Sequence, residues 1–213
     1  MLTRSHVALL LPLALIAATA ASAHAALISV SGPNSSAGAA PAIVSAPANV
    51  LNDDVTNTAM RGFDEAQGVV TTTDFLIDGG TLLAGSFVDS HMIFLNTAGT
   101  GQLSHSGVVW TFSGPILGVM SNATGSYEAA SSFELGAPGT NDATCPGAPP
   151  YMARGLEAND SYSVAGNMLT VNMIVTQPGD WIRVVTAAQV PEPGSMLLFG
   201  SGVAALLLRR RRR

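Results

Sequence analysis

The sequence predicts an all-β protein, a single β-sandwich or jelly-roll-like domain set between an N-terminal signal peptide and a C-terminal transmembrane helix. Three observations predict it. Short runs rich in Val, Ile, Thr, Phe and Trp recur about every ten residues between Gly, Pro, Asn and Asp turn signals. One run alternates: Leu169, Val171, Met173 and Val175 alternate with Thr170, Asn172 and Thr176, the pattern of a half-buried strand that only Ile174 breaks. The two ends are apolar and flanked like export and membrane segments, so they belong outside any fold argument.

Residues 1–25 come first. Arg4 supplies a small positive region, Val7 to Ala18 an apolar stretch, and Ala23-His24-Ala25 a small-x-small cleavage pattern. In that order they describe a secretory signal peptide, cut by signal peptidase after Ala25 and recognised through Ala23 and Ala25. Residues 26–58 are rich in Ala, Ser, Pro and Asn, and read as a weak first strand or a loose lead-in followed by a loop.

Residues 59–189 carry the β-sandwich domain. Asp78-Gly79-Gly80 breaks a β-rich stretch with a strong turn signal. Val108 to Phe112 and Ile116 to Val119 read as two strands split by Ser113-Gly114-Pro115. Ser126 to Leu135 offers the one helical pattern, with Ser126 as a candidate cap. Gln177 to Asp180 reads as a turn, which predicts that the Met168–Thr176 strand and Trp181 to Val185 pair as a hairpin. No internal repeat is visible.

Charge narrows the function. The chain has nine arginines and no lysine, and six of the nine, Arg4 and Arg209 to Arg213, lie in the ends. Between Ala26 and Val190 only Arg61, Arg154 and Arg183 face thirteen acidic residues, a net charge of −10. Such a body excludes nucleic acid as a partner, because phosphates need positive charge. Cys145 is the only cysteine, so no disulfide forms within the chain. It sits in a Pro/Gly loop without the surroundings of a catalytic thiol.

No catalytic residue is expected. Asp64 and Glu65 are adjacent, so on a strand they face opposite ways and share no site. Asp89 and His91, two apart, fall on one face, where the carboxylate could orient the imidazole; the segment reads more simply as a strand entrance with a polar edge. His105 reads as a loop residue. No G-x-S-x-G elbow occurs. Asp53, Asp54, Asp64, Glu65 and Asp89 are of the type calcium takes, but no D-x-D-x-D-G loop is present, and no metal or other cofactor is expected.

The tail, residues 190–213, speaks most clearly. Val190 leads into Pro191-Glu192-Pro193, where two prolines hold a carboxylate in an extended, accessible segment. Met196 to Leu208 follows, thirteen residues without a charge, or about 20 Å of helix. That is short for a bilayer core of about 30 Å. Arg209, Arg210, Arg211, Arg212 and Arg213 then stop transfer and hold the C-terminus in the cytoplasm.

This ordered trio of "VPEPGS", short apolar helix and terminal arginines resembles the PEP-CTERM sorting signal of Gram-negative bacteria. The resemblance implies that the tail helix is a sorting helix and that the partner is exosortase, a membrane-embedded cysteine transpeptidase. It further implies a precursor passing once through the inner membrane, then delivery to the cell surface or extracellular matrix, on a route linked to exopolysaccharide and biofilm. Exopolysaccharide is thereby a candidate partner. Segments such as "RGFDEAQGV" and "GDWIRVVT" are similar to a body carried by many such proteins, which implies a β fold and no particular chemistry. The expected function is that of an exported, non-enzymatic structural or glycan-contacting protein. The alternatives are a secreted carbohydrate-active hydrolase on a β-sandwich scaffold and a single-pass anchored protein whose tail is never processed.

Overall fold

The structure is a computed structural model and describes residues 26–51, 54–140, 154–177 and 179–188. The expected signal peptide with Ala23 and Ala25, the loop around Cys145, Asp53, and the tail from residue 189 lie outside the described residues.

Among the described residues the chain forms twelve strands and one helix. The first six strands are β1 (Leu27–Ser31), β2 (Ala42–Ile43), β3 (Arg61–Asp64), β4 (Val69–Val70), β5 (Phe75–Ile77) and β6 (Gly80–Leu82). After them come β7 (Phe87–Leu95), β8 (Leu103–Phe112), β9 (Ile116–Met120), α1 (Ser126–Leu135), β10 (Ser161–Ala165), β11 (Met168–Val175) and β12 (Asp180–Ala187). A four-stranded antiparallel sheet runs β1-β8-β11-β10. A six-stranded sheet runs β2-β3-β7-β12-β9, with β4 also paired to β7, and β5-β6 form a separate hairpin. No sheet closes into a barrel, and no helix among the described residues is long and apolar enough to cross a membrane.

The smaller sheet behaves as its alternation predicts. On β11 Leu169, Val171, Met173 and Val175 are buried, while Met168 and Ile174 stay exposed. On β8 the buried set changes parity, from Leu103 and His105 to Val108, Trp110 and Phe112. The register against β11 slips there: Val171 faces Val108 but Met173 faces His105. Gly107, at φ 71°, makes the extra residue possible, since a left-handed backbone is cheap only without a Cβ. The bulge keeps both halves of β8 aimed inward.

The larger sheet is buried on both faces. Ile93, Leu95, Val119, Ile182 and Val184 share one core with Leu27, Val108, Trp110, Phe112 and the buried residues of β11. On the other side Phe63, Met92, Phe94 and Trp181 pack with Val50 and Ala137, and Val88, Met120 and Val185 pack with Phe75, Leu82 and Leu135. The two sheets thus enclose one core, while the helix and the β5-β6 hairpin cover the far face. Burying a large apolar side chain contributes about 1.5–3 kcal/mol, so a strand covered on both sides has no reason to alternate. β7 and β12 accordingly read as almost continuous burial.

Several expectations change. The hairpin of Met168–Thr176 with Trp181–Val185 does not form: β11 pairs with β8 and β10, and β12 with β7 and β9. The connection between them carries the chain from one sheet to the other, and Asp180 is the first residue of β12 rather than part of an exposed turn. The polar edge read into Asp89–His91 is a central strand, buried because layers cover both its faces. His105 lies on β8, not in a loop. The helix forms as expected, but Ser126 does not cap it; Asn122 Oδ1 accepts the Tyr127 N–H at 2.9 Å instead. Of the two readings of the first segment, the strand forms, pairing β1 with β8.

Candidate functional site

Strand parity sorts the polar side chains of the larger sheet. Asp64, Asp89, His91 and Thr186 point toward the core shared by the two sheets, and Glu65, Ser90 and Arg183 toward the helix. Asp64 and Glu65 therefore do face opposite ways. His91 Nδ1 lies 2.7 Å from Asp64 Oδ1, and its Nε2 lies 3.0 Å from Thr186 Oγ1. An ionised carboxylate only accepts, so Asp64 fixes the proton on Nδ1 and leaves Nε2 to accept the Thr186 hydroxyl. The orienting carboxylate is Asp64 and not Asp89, whose Oδ1 accepts the Gly68 N–H at 2.5 Å. The order carboxylate–imidazole–hydroxyl is that of a nucleophile and its base. Here both His91 and Thr186 are fully buried, and the ring rests against Phe112 at 4.9 Å. No substrate reaches that hydroxyl in this conformation; the chain locks β3, β7 and β12 together. His105 is likewise structural, with Nδ1 accepting the Met60 N–H at 3.0 Å and Nε2 donating to the Pro33 carbonyl at 2.9 Å.

On the opposite face stands a buried ionic cluster that sequence reasoning missed. Arg183 donates to Glu65 through Nε at 2.7 Å and Nη2 at 2.8 Å, to the Glu128 carbonyl and Ser131 Oγ through Nη1, both at 2.6 Å, and to Ser132 Oγ at 3.1 Å. Arg154 donates to Glu128 Oε2 at 3.1 Å and to the Val50 carbonyl at 3.1 Å, and lies 4.1 Å over the Trp181 ring. Ser90 completes Glu65 at 2.8 Å. This explains the helix: its buried positions are Glu128, Ser131, Ser132 and Leu135, three of them polar. The available signal was scarcity, since a body with three arginines commits two of them here.

The third, Arg61, borders a cleft of about 510 Å³ that Thr56, Asn57, Thr58, Thr97 and Gln102 also line; none of the described lining residues is acidic. Arg61 donates to the Ala40 carbonyl at 3.1 Å.

The acids grouped above as possible calcium ligands are dispersed: Asp64 holds His91, Glu65 holds Arg183, Asp89 holds Gly68, and Asp54 is exposed in a loop. Among the described residues no three His, Cys, Asp or Glu side chains are gathered to hold a metal by themselves. A different carboxyl is unusual. Asp180 is 2% exposed, and its pKa is pushed up to about 9 by burial first, then by neighbouring Asp160 and Glu157. Its Oδ2 finds no hydrogen-bond partner among the described residues.

The described chain is thus a β-rich acidic domain in which Asp64, Glu65, Asp89, Glu128 and His91 serve internal bonds, and its class is decided by the segment beyond it. The family model of the PEP-CTERM protein-sorting motif matches residues 189–213, the stretch that holds Val190, Pro191, Glu192, Pro193 and Arg209 to Arg213. The chain therefore carries a PEP-CTERM motif, which marks an exported protein targeted to exosortase through a membrane-anchored precursor sorted to the cell surface. No curated protein and no solved structure matches the chain.

Proposed function

We propose that this is a non-enzymatic component of the cell surface or extracellular matrix, with a β-domain in a structural or glycan-contacting role tied to exopolysaccharide and biofilm. The observation that carries this reading is the sorting motif over residues 189–213, joined to a domain in which Asp64, Glu65, Asp89 and His91 all serve internal bonds. Signal peptidase removes residues 1–25, the tail then holds the precursor once across the inner membrane with Arg209 to Arg213 inside, and exosortase acts at the Pro-Glu-Pro segment.

A carbohydrate-active hydrolase would need two carboxyl groups about 5 to 9.5 Å apart across a cleft. The cleft at Arg61 has no acidic residue among its described lining, and Asp180 is buried. The deciding experiment is intact mass, with C-terminal peptide mapping, of protein recovered from the native cell surface. A chain beginning near Ala26 and ending near Pro-Glu-Pro supports a sorted surface protein. A chain still ending in five arginines would make it a plain anchor and overturn the proposal.

A further inference from the structure

Arg61 is the one arginine of the body outside the ionic cluster, and its surroundings suit a ligand rather than an ion pair. Its Nη1 donates to the Ala40 carbonyl at 3.1 Å, and among the described residues no carboxylate pairs with it. In a body with thirteen acids this guanidinium keeps Nε and Nη2 unserved by any described residue. It borders the cleft of about 510 Å³, within the about 300–1,000 Å³ usual for small-ligand sites, and none of the described lining residues is acidic. The segment after β1, the segment before β3, β3 itself and the β7–β8 loop build the walls. Those walls are set before anything binds. Asn57 donates its N–H to the Asn96 carbonyl at 2.8 Å and accepts the Asn96 N–H on Oδ1 at 3.1 Å, while Ser35 Oγ donates to the Thr58 carbonyl. Thr56, Thr58 and Gln102 are exposed, and their side chains make no hydrogen bond to a described residue. Asn57 Nδ2 is buried in the same wall, also without a partner among the described residues.

We propose, resting on the glycan-contacting reading above, that this cleft binds an acidic saccharide, with Arg61 on a uronate carboxylate and Thr56, Thr58 and Gln102 on ring hydroxyls. Charge selects the ligand. One guanidinium balances one carboxylate, and its planar fork matches the two oxygens. A phosphate monoester carries about −1.5 to −2, more than a single cation offsets in a body of net charge −10. Hydroxyl and amide side chains donate and accept, as sugar hydroxyls do, so the remaining lining fits a polyol. Preset walls lower the ordering cost, which counts at an exposed site whose ion pair salt screens.

The test is calorimetric titration of the full chain in detergent with a galacturonic acid trimer, repeated with the same trimer after its carboxyl groups are reduced to neutral galactose. The acidic trimer binds with Kd of about 10⁻⁴ to 10⁻³ M at low salt and more weakly as salt rises. The neutral trimer binds at least about tenfold more weakly. Arg61→Ala loses at least about tenfold, and Arg61→Lys, which keeps the charge without the fork, loses less. Gln102→Ala, at an exposed position, loses affinity by roughly three- to tenfold with Tm unchanged. Should Arg61→Ala fail to fold, Gln102→Ala and the comparison of the two trimers decide. No heat from the acidic trimer at about 10 mM overturns the site, as does equal affinity for the two trimers. Binding undiminished in Arg61→Ala and Gln102→Ala also overturns it and would move glycan contact elsewhere on the domain. The surface role stands or falls separately, on the mass of the mature chain.

Discussion

Gly62 shows how a single residue sets the spacing between layers. A Cβ built there would lie 2.6 Å from the Trp110 ring, which is itself fully buried and has nowhere to go. Gly62→Ala is therefore an overpacking change, expected to lower stability by about 1–3 kcal/mol in urea unfolding; an unchanged midpoint would mean that the two sheets can part freely. Tyr162 sets a pH limit. Its hydroxyl donates to Asp78 Oδ2 at 3.0 Å, and burial first, then that carboxylate, push its pKa from 10.0 up to about 12. The folded chain holds this proton more tightly than the unfolded one, so the contribution is full below pH 10 and disappears as pH rises toward 12. Ultraviolet titration should find one tyrosine ionising last, and Tyr162→Phe should remove that step. Neither residue was legible as special in the sequence, because their partners, Trp110 and Asp78, are far along the chain.

At the scale of elements, α1 is held by charge more than by apolar packing. Removing one member of a buried pair strands the others, at a cost of about 3–5 kcal/mol. Arg183→Met is expected to lose that much in denaturant unfolding and to expose the helix to hydrogen exchange ahead of β7 and β12. Adding Glu65→Leu to it should recover part of the loss, because two apolar partners leave less unpaired charge than one. If Arg183→Met alone is neutral, the cluster does not pin the helix. The helix was legible from its local pattern, whereas its attachment was not, since Arg183 and Glu65 are 118 residues apart. β11 was legible because one of its faces is wet, leaving the alternation visible. β12 misled for the opposite reason: two covered faces erase alternation, and a nearby turn signal then suggests the wrong partner.

For the whole molecule, the domain and the tail make separable demands. Replacing Pro191, Glu192 and Pro193 by alanine alters the centre of the matched motif and leaves residues 1–25 and Arg209 to Arg213 unchanged. Export should persist while tail processing stops, giving a membrane-bound species whose mass includes Arg209 to Arg213. Normal processing of that variant would sink the assignment of the cleavage determinant to Pro-Glu-Pro.

The sequence by itself determined the sorting motif and the β class. A sorting motif is read along the linear sequence, and strand propensity and turns are local, so neither requires knowledge of the fold. Only the tertiary structure decided which strands pair, that a three-layer arrangement hides Asp89 and His91, and that Arg154 and Arg183 meet Glu65 and Glu128. Those are contacts between distant segments, and their energies come from burial, which no local pattern contains.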